Sequence, residues 1–228
     1  MRMLWDPTFV LIIPALLLAM YAQWKVSSTF RKYSEIRTAT GMTGAEVAAQ
    51  LLRRRGVSGV RIEAVQGMLA DHYDPRTKTL RLSPEVYGST SVAAYGVAAH
   101  ECGHALQDAE RYGPLVARNA IVPVATIGTN AAWILFIIGM FAQLPPLMDL
   151  GILLFAGYVV FALITLPVEF DASRRAVAVL QGEGMVLPRE ADGVRAVLNA
   201  AALTYVAAAA MAILQLVRLL VLRNMRDR

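Results

Sequence analysis

Along the chain, four stretches are apolar almost without interruption, and the segments between them carry polar residues at helical or strand periods. The apolar stretches run from about Phe9 to Trp24, Ala120 to Ala142, Leu150 to Pro167 and Ala196 to Val217. Each approaches or reaches the roughly 17–25 residues that a helix needs to cross a bilayer. Leu144-Pro145-Pro146 separates the second from the third and predicts a tight hairpin. Trp5, Tyr21 and Trp24 flank the first in the manner of interface anchors. Only Arg2 precedes that stretch and no small-x-small cleavage site follows it, so the pattern predicts a retained anchor rather than a signal peptide.

The polar segment after the first stretch has its own order. Thr43 and Glu46 form a capping box before AEVAAQLLRRR, and Gly56 stands where a helix C-terminal glycine belongs. Val60, Ile62 and Ala64 alternate with Arg61, Glu63 and Val65, the period of a strand. A turn at Asp74-Pro75-Arg76 leads to a second strand with Leu80 and Leu82 on one face. Ser91 is placed to cap a helix from Val92 to about Glu110. The expected organisation is an anchor at 1–24, a cytoplasmic helix–sheet–helix region at 25–118 and a membrane hairpin at 119–167. A polar helical segment at 168–195 and a membrane or membrane-associated helix with a basic tail at 196–228 complete it. The fold class is mainly α, a multi-pass membrane protein with a small α+β domain.

Composition agrees. Of 228 residues 57% are hydrophobic and 17% charged, against about 25% charged in soluble domains. The net charge of +5 suits an anionic lipid surface; no basic run interleaved with aromatics points to nucleic acid. One cysteine, Cys102, excludes an internal disulfide. The basic residues also set an orientation. Lys25, Arg31, Lys32, Arg37, Arg111 and Arg118 lie between the first two spans, and Arg174, Arg175, Arg189 and Arg195 follow the third. The turn at 143–149 carries only Asp149. Residues 25–118 and 169–195 therefore face the cytoplasm. Arg223, Arg226 and Arg228 run against that rule if the last stretch crosses fully, so a re-entrant path stays open for it.

Chemistry concentrates in AYGVAAHECGHALQ. His100 and His104 are four apart, so on a helix they stack on one face and aim two imidazoles at one point, as zinc requires. Glu101 is turned one residue aside, where it can take a proton from water and return it to a leaving amine. Burying two imidazoles and a carboxylate without such a purpose would cost several kcal/mol, on the order of the transfer penalty for unpaired polar groups. A catalytic zinc needs a third protein ligand. Asp149 falls on the other side of the membrane, and Asp108 lies too far along the helix. Glu169, in LPVEFDASRRA where the third span returns, is the best candidate, and Asp171 is the alternative. His72 is a candidate donor to the oxyanion of a tetrahedral intermediate, with Tyr87 and Tyr205 further ones. Residues 78–83 are a candidate to add substrate as an extra strand, and equally a candidate for an ordinary member of the sheet. Cys102 reads as a packed thiol.

DHYDPRTKTLRLS, HECGHALQ and LPVEFDASRRA, in that order, resemble the YugP-like neutral zinc metallopeptidases of bacterial membranes. More distantly they are similar to HtpX-type and CAAX prenyl membrane proteases, which split a zinc site around a transmembrane hairpin. The resemblance covers nearly the whole chain. It implies a gluzincin with a zincin-like domain, zinc on His100, His104 and Glu169, and Glu101 as base. Gluzincins often carry Asp four residues after the ligand Glu; here that position is Ser173, with Asp171 two after, and both are candidates to support the ligands. The expected protein is a zinc endopeptidase of the bacterial inner membrane. It would act at the cytoplasmic face on peptides or membrane-protein segments. A zinc-containing membrane scaffold that binds without cutting is the second reading. A transporter is disfavoured, since the spans hold no acid or base before Arg218.

Overall fold

The computed structural model describes residues 7–67 and 70–226. The expectations for Arg2, Trp5 and Arg228, and for the Arg226 side chain, lie outside what it describes. The protein is mostly helical with one small sheet. A short 3-10 segment, Pro7–Ile12, leads into α1 (Ile13–Ser34); α2 is Gly44–Arg54. Three strands follow, β1 (Arg61–Ala64), β2 (His72–Asp74) and β3 (Thr79–Leu82). Then come α3 (Pro84–Tyr87), α4 (Val92–Ala109), α5 (Gly113–Ala142), α6 (Pro145–Gly182) and α7 (Pro188–Arg226).

The chain divides into two compact units. One comprises Met1–Ala22, Ala117–Leu166 and Thr204–Arg228; the other comprises Gln23–Val116 and Pro167–Leu203. Among the described residues four helical stretches are long and apolar enough to cross a membrane: Pro7–Ser34, Ala125–Ala142, Pro145–Gly182 and Pro188–Met225. The stretches expected at 150–167 and 196–217 are thus parts of longer helices. Pro167 does not stop α6. A proline inside such a helix removes one hydrogen bond, which neighbouring groups can replace. The segment 168–195 is therefore not one helix: α6 ends at Gly182 and α7 begins at Pro188. Gly184, at φ +63°, makes the turn between them, a backbone conformation glycine adopts without strain.

Among its described residues the first unit is helical except at the turn between α5 and α6. Gln143 and Leu144 alone separate α5 from α6, and the Leu144 N–H donates to the Gly139 carbonyl at 2.9 Å. Glycines let the two helices touch: a Cβ on Gly139 would lie 2.7 Å from Met148 N, and one on Gly151 2.7 Å from the Ala132 carbonyl oxygen. Ala132, Phe136, Met148, Phe155, Val159, Ala212 and Leu219 form its core. Ile127, Phe141 and Leu153 stand outward. Arg223 donates to both oxygens of Asp149, at 2.8 and 3.2 Å. That pair brings the end of α7 to the start of α6, so α7 follows α6 back as far as the hairpin turn.

The second unit holds the sheet and α4. Its strand order is β1-β3-β2, with β1 parallel and β2 antiparallel to β3. β3 is thus paired on both sides, an ordinary member of the sheet, and the alternative that residues 78–83 add substrate as an extra strand is corrected. Leu80 and Leu82 on its inner face are fully buried. α2 starts on the Thr43–Glu46 capping box and packs Val47, Ala48, Leu51 and Leu52 into a core shared with Tyr95, Ala98, Cys102, Leu180 and Val194.

Candidate metal centre

α4 starts where Ser91 Oγ accepts the Ala94 N–H at 3.2 Å, which satisfies one of the free donors of a helix N-terminus. It then runs through a nearly closed interior, with Ala93, Ala94, Tyr95 and Ala98 fully buried. Its small residues admit neighbours at close range. At Gly103 the approach is backbone to backbone: a Cβ there would sit 2.6 Å from the Ala172 carbonyl oxygen of α6. Only glycine permits this contact, and the contact sets the Glu169–Ser173 turn of α6 against the histidine-bearing face of α4.

The result is a convergence. His100 Nε2 lies 3.2 Å and His104 Nε2 3.6 Å from Glu169 Oε2. The rings stand edge to face with centroids 4.7 Å apart. Candidate ligand atoms of the three residues all lie within 4.8 Å of one another. Tetrahedral ligands about 2.0–2.1 Å from a zinc ion stand roughly 3.3 Å apart, so these side chains fit such an ion with little movement. Glu169 is 2% exposed, and a carboxylate so deeply buried needs a cation beside it.

The surroundings orient both rings. Ser173 Oγ is 3.2 Å from His100 Nδ1. His104 Nδ1 donates to Gln107 Oε1 at 3.0 Å, and Gln107 Nε2 donates in turn to the Val168 carbonyl at 2.8 Å and to Asp171 Oδ2 at 3.0 Å. Asp171 is gripped by Arg174 and Arg175; it stands behind the histidines and is not a member of the converging group. Burial by itself would push His104 down, but Glu169, Glu101 and Gln107 together outweigh it and hold the imidazole above its ordinary value.

Glu101, beside the group on α4, is 7% exposed. Among the described residues nothing hydrogen-bonds to its carboxylate, and its oxygens are not sealed from solvent. An acid 7% exposed, with no hydrogen-bond partner among the described residues, thus stands on the same helix as the two imidazoles.

The structure does not bring His72 into the group. Its Nδ1 donates to the Ala70 carbonyl at 2.8 Å and its Nε2 accepts from Arg81 at 3.3 Å. Neighbouring strand residues point to opposite faces, and Tyr73 is the one that reaches α4, donating to Asp108 at 2.7 Å. Asp108 also pairs with Lys78, which keeps it apart from the histidines. Tyr87 is exposed on α3. Cys102 is buried with its Sγ 3.7 Å from the Ala48 carbonyl, and burial pushes its thiol well up. Gln107 is the residue that sequence reasoning passed over. Its signal was its place three residues after His104, on the same helical face.

Comparison with known proteins agrees with this geometry. The sequence profile of a family described as "Putative neutral zinc metallopeptidase" matches residues 8–224. The chain is 48% identical over 218 residues to "Putative membrane protease YugP" of Bacillus subtilis (strain 168), covering 95% of this chain and 97% of that protein. No solved structure matches significantly.

Proposed function

Since the chain belongs to the neutral zinc metallopeptidase family, with zinc as its cofactor, we propose that it is an integral-membrane zinc endopeptidase. His100, His104 and Glu169 are its ligands and Glu101 its general base. The observation that carries the reading is the meeting of His100 and His104 from α4 with Glu169 from α6, with Glu101 unengaged beside them.

Zinc, when bound, supplies a Lewis acid that polarises the scissile carbonyl and makes water more acidic. The residues do the rest. Glu101 accepts the proton of the attacking water and passes it to the departing amine, a role that needs a carboxylate ionised at rest and reached by solvent. Ser173 and the Gln107–Asp171 pair hold the two imidazoles in place, so no reorientation is needed during the reaction. His72, engaged by Arg81 and Ala70, takes no part in this reading.

The distribution of basic residues supports a zincin-like region of residues 25–118 and 168–195 at the cytoplasmic face of the bacterial inner membrane. The anchor, hairpin and final helix then lie in the bilayer. Substrates on this reading are peptides or membrane-protein segments that reach that face.

The test is Glu101→Gln in the purified full-length protein. Zinc content should stay stoichiometric while cleavage of a peptide library falls by about 10²–10⁴-fold, the usual contribution of a positioned general base. Undiminished cleavage would reject the mechanism, and a wild-type protein that takes up no zinc would reject the site.

A further inference from the structure

We propose that Gln107 is the positioning residue that dictates which nitrogen His104 presents to the metal. The inference rests on the zinc site proposed above and concerns a residue outside the ligand set. The Val168 carbonyl is acceptor-only, and so is the Asp171 carboxylate between two guanidinium groups. Both lie within hydrogen-bond distance of Gln107 Nε2, at 2.8 and 3.0 Å. The two N–H bonds of the amide are therefore committed, one to each, and the amide cannot turn over.

Its oxygen must then face His104, 3.0 Å from Nδ1. An amide oxygen only accepts, so Nδ1 carries the hydrogen. Nε2, the nitrogen that faces Glu169 at 3.6 Å, is left with its lone pair for a cation. Gln107 is fully buried, so water does not take its place. The proton choice on the ring thus begins at the arginine-held carboxylate of Asp171 and passes through one rigid amide.

His100 is held differently. Its Nδ1 faces the Ser173 hydroxyl at 3.2 Å, and a hydroxyl both donates and accepts. That contact positions the ring without choosing its tautomer. One histidine of the pair is preset and the other is adaptable.

The test compares Gln107→Met with Gln107→Glu in full-length protein in detergent. Each is stripped of metal and titrated with zinc against a competing chelator. Met matches the shape of Gln but offers no acceptor oxygen; Glu keeps the acceptor and adds charge beside Asp171. Positioning through the acceptor predicts the order wild type, then Glu, then Met, with Met weakened about 10–100-fold, the usual cost of losing a ligand's hydrogen-bond partner. A packing role predicts the reverse order, because a buried cavity tolerates an uncharged isostere better than a second carboxylate. Zinc affinity unchanged in Met, or better in Met than in Glu, overturns the proposal.

Imidazole ¹⁵N spectra of the zinc-loaded wild type test the same point without any variant. They should show a proton on His104 Nδ1 and metal on Nε2, and the opposite assignment sinks it. A wild type that binds no zinc refutes the site itself, a separate failure.

Discussion

The two units solve the same packing problem with opposite materials. In the helical unit, glycines and alanines let α5 and α6 touch, and the core is Phe136, Met148, Phe155 and Leu219. In the mixed unit, α4 and α6 also meet at a glycine, yet what they enclose is His100, His104, Gln107, Glu169 and Asp171. Close backbone approach therefore serves two purposes. Among apolar side chains it supplies dispersion contacts, and beside the histidines it delivers a carboxylate to a fixed point. The same device should fail in two distinguishable ways.

Gly103→Ala is the sharpest way to break the comparison. Its Cβ would lie 2.6 Å from the Ala172 carbonyl, and backbone cannot yield as a side chain does. The helices must separate and carry Glu169 away from the imidazoles. Zinc affinity in a chelator competition should fall by more than about 100-fold, beyond what losing a second-tier contact costs. A Gly103→Ala protein with intact zinc binding would remove the claim that this contact sets the site.

Gly151→Ala should do the converse. A Cβ there meets the Ala132 carbonyl at 2.7 Å and Phe136 N at 2.9 Å, and overpacking of this kind costs about 1–3 kcal/mol. Thermal unfolding in detergent should come earlier while zinc per folded molecule stays at the wild-type level. Zinc lost in parallel with stability would show that the two units fail together.

Tyr95→Phe probes the mixed unit away from the histidines. The fully buried Tyr95 hydroxyl accepts the Met42 N–H at 2.8 Å and lies 2.7 Å from Thr40 Oγ. Leaving the half-buried Met42 N–H without this acceptor removes a hydrogen bond worth about 1 kcal/mol, read as a lower unfolding midpoint with zinc affinity unaltered.

The smallest effect is pH drift. All three histidines, His72, His100 and His104, belong to the mixed unit. His104 is raised above its ordinary value in the folded, metal-free protein. Its contribution to stability is therefore complete below about pH 6.5, the unfolded value, and is lost as pH rises through the raised folded value. Zinc requires the neutral ring, so uptake should weaken as pH falls through that same range. Melting midpoints of stripped protein and zinc titrations, both taken from pH 5.5 to 8.5, should slope in opposite directions.

Much of this was legible in the chain. The capping box at Thr43 and Glu46, the helix after Ser91, and the placing of His100 and His104 on one helix face follow from local spacing, because helix geometry relates residues three and four apart without help from the rest of the fold. The apolar stretches were legible for a similar reason, since a lipid-length run of Leu, Ile, Val and Ala has few other uses. What the chain did not show came from contacts across long separations. Whether β3 is an edge or an inner strand is not legible, because its parallel pairing with β1 leaves no mark on its own residues. His72 was placed near the reaction because nothing in the sequence says that Tyr73 is the strand residue turned toward α4.

By itself the sequence determined which residues are chemically capable: two imidazoles on one helix face, a neighbouring acid, and further acids beyond an apolar hairpin. Only the tertiary structure decided which acid reaches them and which amide holds His104, because both outcomes depend on the register of α6 against α4. That register is set by one close contact, Gly103 on Ala172, and a shift of one residue along α6 would rotate Glu169 by about 100° about the helix axis and turn it away from both rings.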